Sequence, residues 1–114
     1  MSMKLFLFRF GFCTPGQWLA NAKHGWDDES SEAIFIKSDS AEAAESWGCE
    51  IAERYCSQLY AHSKEWAGEI PSWRAENFAF WIEQEIGTFP EEYLKRIPVV
   101  ESGELPCFEL WLRK

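Results

Sequence analysis

The stretch from Ala33 to Ala61 reads AIFIKSDSAEAAESWGCEIAERYCSQLYA and carries the clearest structural pattern of the chain. It begins with a short apolar run that is typical of a strand, and it continues as a long amphipathic helix. Asp39 is the predicted N-cap, because Glu42 follows three residues later and completes the form of a capping box. The pattern therefore predicts a helix over about residues 40–61.

At about 100° per residue, the apolar side chains of this helix fall on one arc and most of the acidic ones on the other. One face of the helix is therefore expected to be buried. Gly48 lies on the apolar arc, where glycine costs roughly 1 kcal/mol relative to alanine in a helix interior. That cost indicates a close approach of the helix backbone to the structure it covers, most simply a β-sheet.

Three further segments show the alternation of strands. Lys4–Phe12 is largely apolar on both faces, which favours an interior place in a sheet. Residues 77–86 favour a strand, although a helix also fits the spacing of their apolar side chains. Cys107–Arg113 is the predicted last strand.

Two short helices are predicted from capping-box patterns. Thr14–Gln17 begins one that ends near Lys23, and Thr88–Glu91 begins one that ends near Arg96. Together the elements predict an α+β fold. It is a single domain over residues 1–114, with about four mainly antiparallel strands and the long helix packed on one face.

The composition describes an acidic domain with a substantial core. Its 114 residues include seven tryptophans and nine phenylalanines and carry a formal net charge of -8. A field of that sign repels nucleic-acid phosphates and anionic membranes, so we expect neither as a partner, whereas a basic protein would be attracted. Solubility is the simpler role of such charge.

The cysteines and the N-terminus indicate the location of the protein. The four cysteines show no C-x-x-C spacing, which favours reduced thiols in a cytoplasmic protein. The apolar run that follows Lys4 is interrupted by Arg9 before it reaches the roughly 7 residues that the core of a signal peptide needs. We therefore expect no targeting segment, no transmembrane span and a cytoplasmic location.

The sheet face that the long helix leaves free is the first candidate site. It is predicted to have an aromatic centre and a charged rim, a composition enriched at protein interfaces. Its residues are Arg9, Phe35, Trp81, Glu83, Glu109 and Trp111. The alternative is that the short helices, or the loop bearing Trp66 and Trp73, cover this face as a second core layer.

The acidic side of the long helix is the second candidate site. Its residues are Glu42, Glu45, Glu50 and Glu53. A solvated face is the ordinary interpretation of such a set, and an electrostatic surface for a basic ligand is the functional one. Small acidic proteins that neutralise basic toxins, such as bacterial immunity proteins, are similar in size, charge and aromatic content. This resemblance lies in composition and covers no motif.

Catalytic and metal-binding patterns are weak in this chain. Cys13 or Cys49 could serve as a nucleophile and His24 or His62 as a base, but no signature surrounds any of them. A metal would need three or four converging ligands, and the cysteines of the long helix lie two turns apart. We expect no catalytic residue, no cofactor and no metal.

These observations favour a non-catalytic protein-interaction module. Its partner would be a protein, of basic charge in the immunity-like version, or a second copy of the chain in a homodimeric accessory protein. The alternative is a small-molecule-binding or enzymatic domain with a pocket beside the connection that spans residues 11–32. His24 would then lie at the mouth of that pocket. The length of the connection supports this alternative, since long ordered connections tend to be functional.

Overall fold

Strand β1, Lys4–Phe12, lies inside the sheet, as its two apolar faces predict. In the computed structural model, which describes residues 3–112, it pairs antiparallel with β2, Ser30–Ser38, along its whole length. On its other side it pairs antiparallel with β3, Phe80–Glu83. Strand β4, Val99–Glu101, runs parallel to β2, so the order of the sheet is β3-β1-β2-β4.

Helix α1, Pro15–His24, follows β1 and has the predicted capping box. The Thr14 hydroxyl accepts the Gln17 N–H at 3.1 Å, and the Gln17 side-chain oxygen accepts the Thr14 N–H at 2.9 Å. Gly25 ends the helix with a φ of 70°, a conformation that glycine adopts without steric cost. The predicted helix is therefore confirmed.

Helix α2, Ala41–Ala61, is the predicted long helix. Its N-cap is Ser40, whose hydroxyl accepts the Ala43 N–H at 3.1 Å, and not Asp39 as predicted. Serine and aspartate cap helices about equally well, so the local pattern does not choose between neighbouring candidates. The error shifts the cap by one residue and leaves the buried face unchanged.

The C-terminal region departs from the prediction. The strand interpretation of residues 77–86 is confirmed in its centre, β3, but residues 107–112 of the predicted last strand, Cys107–Arg113, do not form a strand. Arg113 lies outside the described residues. Within the described residues, Phe108–Leu112 form helix α4, because Phe108, Trp111 and Leu112 have helical spacing and pack together against the core. The fourth strand is β4 instead.

The second short helix, α3, spans Glu91–Lys95. It begins after Pro90, which has no side-chain donor or acceptor, so the capping box predicted at Thr88–Glu91 is wrong. The Thr88 hydroxyl donates instead to the Glu85 carbonyl at 2.8 Å and closes a short 3-10 turn, Ile86–Thr88. A second such turn, Arg74–Glu76, precedes β3.

Helix α2 packs on one face of the sheet, and Gly48 is the point of closest approach. A Cβ atom on Gly48 would overlap the ring of Phe8, which is fully buried at the centre of β1. The predicted close approach is therefore confirmed, and so is the α+β class with the long helix on one face.

The opposite face of the sheet carries a smaller core. Leu7, Ala33 and Phe35 are buried there beneath Ile97. Three partly buried apolar side chains from the segment around α3 complete this layer: Ile86, Phe89 and Leu94. The alternative that short helical segments cover this face is thus the arrangement observed around Phe35.

Within residues 3–112, no helix is both long and apolar enough to cross a bilayer.

Substituting Gly48 by alanine tests the helix–sheet contact. The added methyl group must displace the Phe8 ring or lift the helix, so Gly48→Ala should lower the free energy of unfolding by about 1–3 kcal/mol. Urea denaturation measures this change. Gly87→Ala is the matched control, because a Cβ at Gly87 meets no atom within 4 Å and should change stability by less than about 0.5 kcal/mol. Stabilisation by Gly48→Ala, as helix propensity alone predicts, would contradict the packing.

Candidate functional site

Four of the six residues predicted for the free sheet face do share it. Pairing places Phe35 and Glu83 beside Leu7, and Trp81 beside Arg9, on the side away from α2. Phe35 is buried under the α3 segment, whereas Trp81 is half-buried. The face is therefore partly core.

Arg9 is held in place between two aromatic rings. Its guanidinium carbon lies 5.1 Å from the ring centroids of both Trp81 and Phe89, and its Nη1 lies 3.1 Å from Glu83 Oε1. Cation–π contacts and the ion pair engage the charge within the chain, while the buried Arg9 Nε has no hydrogen-bond partner among the described residues. Arg9 and Glu83 therefore stabilise the core layer on this face of the sheet, with no partner needed.

Glu109 and Trp111 do not lie on this face, so that part of the prediction is wrong. Both are on α4, which packs on the side of α2, and Trp111 is only 4% exposed. Its ring lies 4.6 Å from the Tyr55 ring, and its indole N–H donates to Glu32 at 3.3 Å. Trp111 is thus a core residue of the helix side, and Glu109 is exposed on the same short helix.

Half of the acidic set on α2 is engaged within the chain. Glu50 pairs with Arg54 at 3.2 Å and with Arg74 at 3.0 Å. Glu53 accepts the Ser72 hydroxyl and the Arg74 N–H, both at 2.8 Å. These contacts hold the segment before β3 against the helix. Glu42 is exposed and Glu45 half-buried, and a role of this face in binding stays a prediction.

An open cleft of about 660 Å³ lies beside α1, where the alternative function predicted a pocket. One wall comes from α1 and the turn that follows it, through Trp18, Trp26 and Glu29. The other comes from the segment that enters β3, residues 76–79. The cleft is therefore built from two parts of the chain that are about fifty residues apart in sequence.

The turn that forms the rim of the cleft is fixed by Asn21. Its side-chain amide donates to the Asp28 carbonyl at 3.0 Å and accepts the Asp28 N–H at 3.1 Å. The Cys13 thiol donates to the same carbonyl at 3.2 Å. Because side-chain bonds replace backbone pairing here, an irregular turn keeps a defined shape.

Trp18, in the aromatic wall of the cleft, is fixed by packing against other aromatic rings. The Trp18 ring packs edge-on against Tyr60 and Trp66, with centroids 6.4 and 5.9 Å away. The Tyr60 hydroxyl donates to the Cys13 carbonyl at 2.7 Å, which ties the end of α2 to the cleft. At the mouth, Trp26 is 55% exposed and stacks on His24 with centroids 4.2 Å apart. The cleft therefore presents one fixed and one accessible indole.

The charge of the cleft is negative. Its lining includes Asp27, Glu29 and Glu76, and among the described residues that line it there is no lysine or arginine. Burial raises the pKa of the Cys13 thiol, and the carboxylates of Glu29, Asp27 and Glu76 raise it further. A protonated thiol among carboxylates is a poor nucleophile, which argues against the catalytic role considered for Cys13.

The other candidate nucleophile is disfavoured for a similar reason. Burial raises the pKa of Cys49, and the nearby Arg74 guanidinium offsets this only in part. Cys56 lies deeper, and burial raises its pKa to about 12. His62 follows α2 and its Nδ1 lies 2.9 Å from the Gln58 carbonyl, so its ring is held by its own helix.

Within residues 3–112, no group of three or more His, Cys, Asp or Glu side chains is arranged to hold a metal ion. Comparison with protein-family models, with curated proteins and with solved structures finds no match for this chain.

Sequence reasoning missed the residues that give the cleft its chemistry. Asp27 and Glu29 belong to a run that predicts only a polar turn, and Glu76 lies in a segment without a clear period. The only signal was the long connection over residues 11–32, which pointed to a pocket without indicating its other wall. Indole faces together with carboxylates are the surroundings in which proteins bind organic cations.

Trp111→Ala tests the placement of this indole in the core. Removing a buried tryptophan leaves a cavity, so the free energy of unfolding should fall by about 3–5 kcal/mol in urea denaturation. Trp111→Phe keeps a ring in the same space and should cost about 1–2 kcal/mol, mainly for the lost hydrogen bond to Glu32. Unchanged stability of Trp111→Ala would show that this side chain is not core.

The Arg9–Glu83 pair predicts a specific pH dependence. The hydrogen bond from Arg9 lowers the pKa of Glu83 below its usual range, so the folded chain binds this proton less readily than the unfolded chain. The stabilisation is present above the ordinary glutamate range and is lost as the pH falls. Glu83→Gln should therefore be less stable than wild type at pH 7, and the difference should shrink by pH 3. A difference in urea midpoint that stays constant with pH would contradict the pairing.

Proposed function

We propose that this chain is a non-catalytic binding protein for a basic partner protein, located in the cytoplasm. A lysine or arginine side chain of the partner enters the cleft beside α1. The observation that carries the proposal is the cleft itself, whose lining combines the carboxylates of Asp27, Glu29 and Glu76 with the indoles of Trp18 and Trp26. An inhibitor that neutralises a basic protein is the most specific version of this function.

Two physical effects support a cationic occupant. A cation inside the cleft gains Coulomb energy from several carboxylates at once, and its CH₂ chain or guanidinium plane packs on indole faces. The net charge of -8 adds a long-range field that attracts a basic protein and raises its rate of association. Four free cysteines fit the reducing conditions of the cytoplasm.

A small cationic molecule is the second candidate occupant. It is favoured by the size of the cleft, since about 660 Å³ lies within the range of roughly 300–1,000 Å³ in which small-molecule sites fall. The two candidates differ in whether contacts outside the cleft are needed for binding. A protein partner needs contacts beyond the cleft, whereas a small molecule does not.

Neutralising the cleft tests the proposal. The probe is a blocked seven-residue peptide of alternating lysine and valine, titrated by calorimetry at low salt. Wild-type protein should bind it, and Asp27→Asn combined with Glu29→Gln should weaken the affinity by about tenfold, because two attractive charges are removed. Tryptophan fluorescence should change on binding through Trp18 and Trp26.

The matched control is Glu42→Gln combined with Glu45→Gln on α2, which gives the protein the same net charge as the cleft variant. This control should change the affinity by less than about twofold, since its charges lie outside the cleft lining. Equal weakening by both pairs would show that only net charge matters, and absence of peptide binding would overturn the proposal. Equal affinity for lysine amide and for the peptide would favour the small-molecule alternative.

A further inference from the structure

The two edges of the sheet are not equivalent, because the chain itself closes the β4 edge at Glu101. Phe35 N–H donates to the Pro98 carbonyl and Ser102 N–H to the Lys37 carbonyl, both at 2.9 Å, so the backbone groups of Glu101 point away from β2. Both of these groups are already used. The Glu101 N–H donates to the Glu104 carboxylate at 3.1 Å, and the Glu101 carbonyl accepts the Glu104 N–H at 2.9 Å.

The β3 edge is open. Gly11 N–H donates to the Ala79 carbonyl at 2.8 Å, and from this bond the antiparallel alternation directs the backbone groups of Phe80 and Ile82 away from β1. Within residues 3–112, the hydrogen bonds of the structure include none to these outward groups. Phe80 is also 42% exposed. An unpaired edge with apolar side chains is a template for another strand, and proteins usually block it, as this chain does at Glu101 of β4.

The open edge adjoins the acidic cleft. A hollow of about 340 Å³ lies beside Phe80, between Cys49 of α2 and Trp73. Asn77 and Phe78 line both this hollow and the cleft, so the two depressions meet on either side of the segment that enters β3. A chain that extends along β3 would therefore reach the hollow and the cleft in succession.

We propose that the basic partner binds as an additional β-strand on β3, with one side chain in the hollow beside Phe80 and a cationic side chain in the cleft. This inference rests on the proposed function and names how the partner is held. Main-chain hydrogen bonds to Phe80 and Ile82 supply affinity, and the two depressions supply specificity, as in other cases of strand addition.

Charge selects this occupant over a second copy of the chain. The cleft is negative, Glu85 follows the strand, and Arg74 at the hollow is already paired with Glu50 at 3.0 Å. Two copies would bring net charges of -8 together, which opposes self-association. A basic extended segment forms hydrogen bonds along the β3 edge and places a positive charge in the cleft at the same time.

A proline at the open edge tests strand addition. Phe80→Pro removes an outward N–H at the first residue of β3, where proline does not disturb the pairing with β1. Phe80→Ala is the matched control, because it loses the same ring and keeps the N–H. Binding of the lysine–valine peptide should be about tenfold weaker for Phe80→Pro than for Phe80→Ala. Circular dichroism establishes that both variants are folded.

The peptide supplies a second, independent control. N-methylation at alternate residues removes the main-chain donors along one edge of the extended peptide and keeps its charge, so wild-type protein should bind the methylated peptide at least about tenfold more weakly. Equal binding of both peptides, together with the loss of affinity in the Asp27→Asn, Glu29→Gln protein, would overturn strand addition and leave the cleft function intact. A dimer of the free protein that Phe80→Pro abolishes, seen by light scattering, would assign the edge to a second copy and overturn the proposal.

Discussion

The contact between the Gly48 backbone and the Phe8 ring sets how closely the long helix packs on the sheet. Because position 48 has no Cβ, α2 lies directly on the centre of β1. The aromatic residues around this point then fill the space on both sides of the contact, with Phe10 packed edge-on against Tyr55 and Trp73 at 5.5 and 6.0 Å. A larger separation would leave these rings exposed.

This close packing decides which surfaces are free for binding. The helix side is sealed by α2 and α4, and much of the other side is covered by the α3 segment. The cleft beside α1 and the edge of β3 lie at the margins of the sheet, where the chain enters and leaves the core. The Trp73 indole links the two regions, since it donates to the Gly11 carbonyl at 2.8 Å at the end of β1. A partner that bound at these margins would therefore contact a rigid frame, and the core would not need to open.

Much of the fold was predictable because its signals are local. The capping box at Thr14, the alternation of Lys4–Phe12 and the glycine on the helix face each require only neighbouring residues. The last segment failed because Cys107–Arg113 alternates like a strand and also has helical spacing. Contacts of Trp111 with Tyr55 and Phe10 decide between these two periods, and they join residues more than fifty positions apart.

The candidate site was less predictable for the same reason. The shared face of Arg9, Phe35, Trp81 and Glu83 followed from strand alternation, but its cover by Ile97 and the α3 segment did not. The two walls of the cleft meet only after β1 and β3 pair, since Gly11 binds Ala79 and thereby brings residues 76–79 beside the Trp26–Glu29 turn. Local patterns carry no information about such a meeting.

The most direct test uses the seven tryptophan indole N–H groups as reporters in a ¹⁵N NMR titration with the lysine–valine peptide. If the partner binds at the cleft, the helix side of the sheet stays sealed. The Trp18 and Trp26 signals should therefore shift with peptide concentration, whereas Trp111, bound to Glu32 in the core, should not. Shifts of the Trp111 signal with unmoved Trp18 and Trp26 signals would show that the peptide does not bind at the cleft.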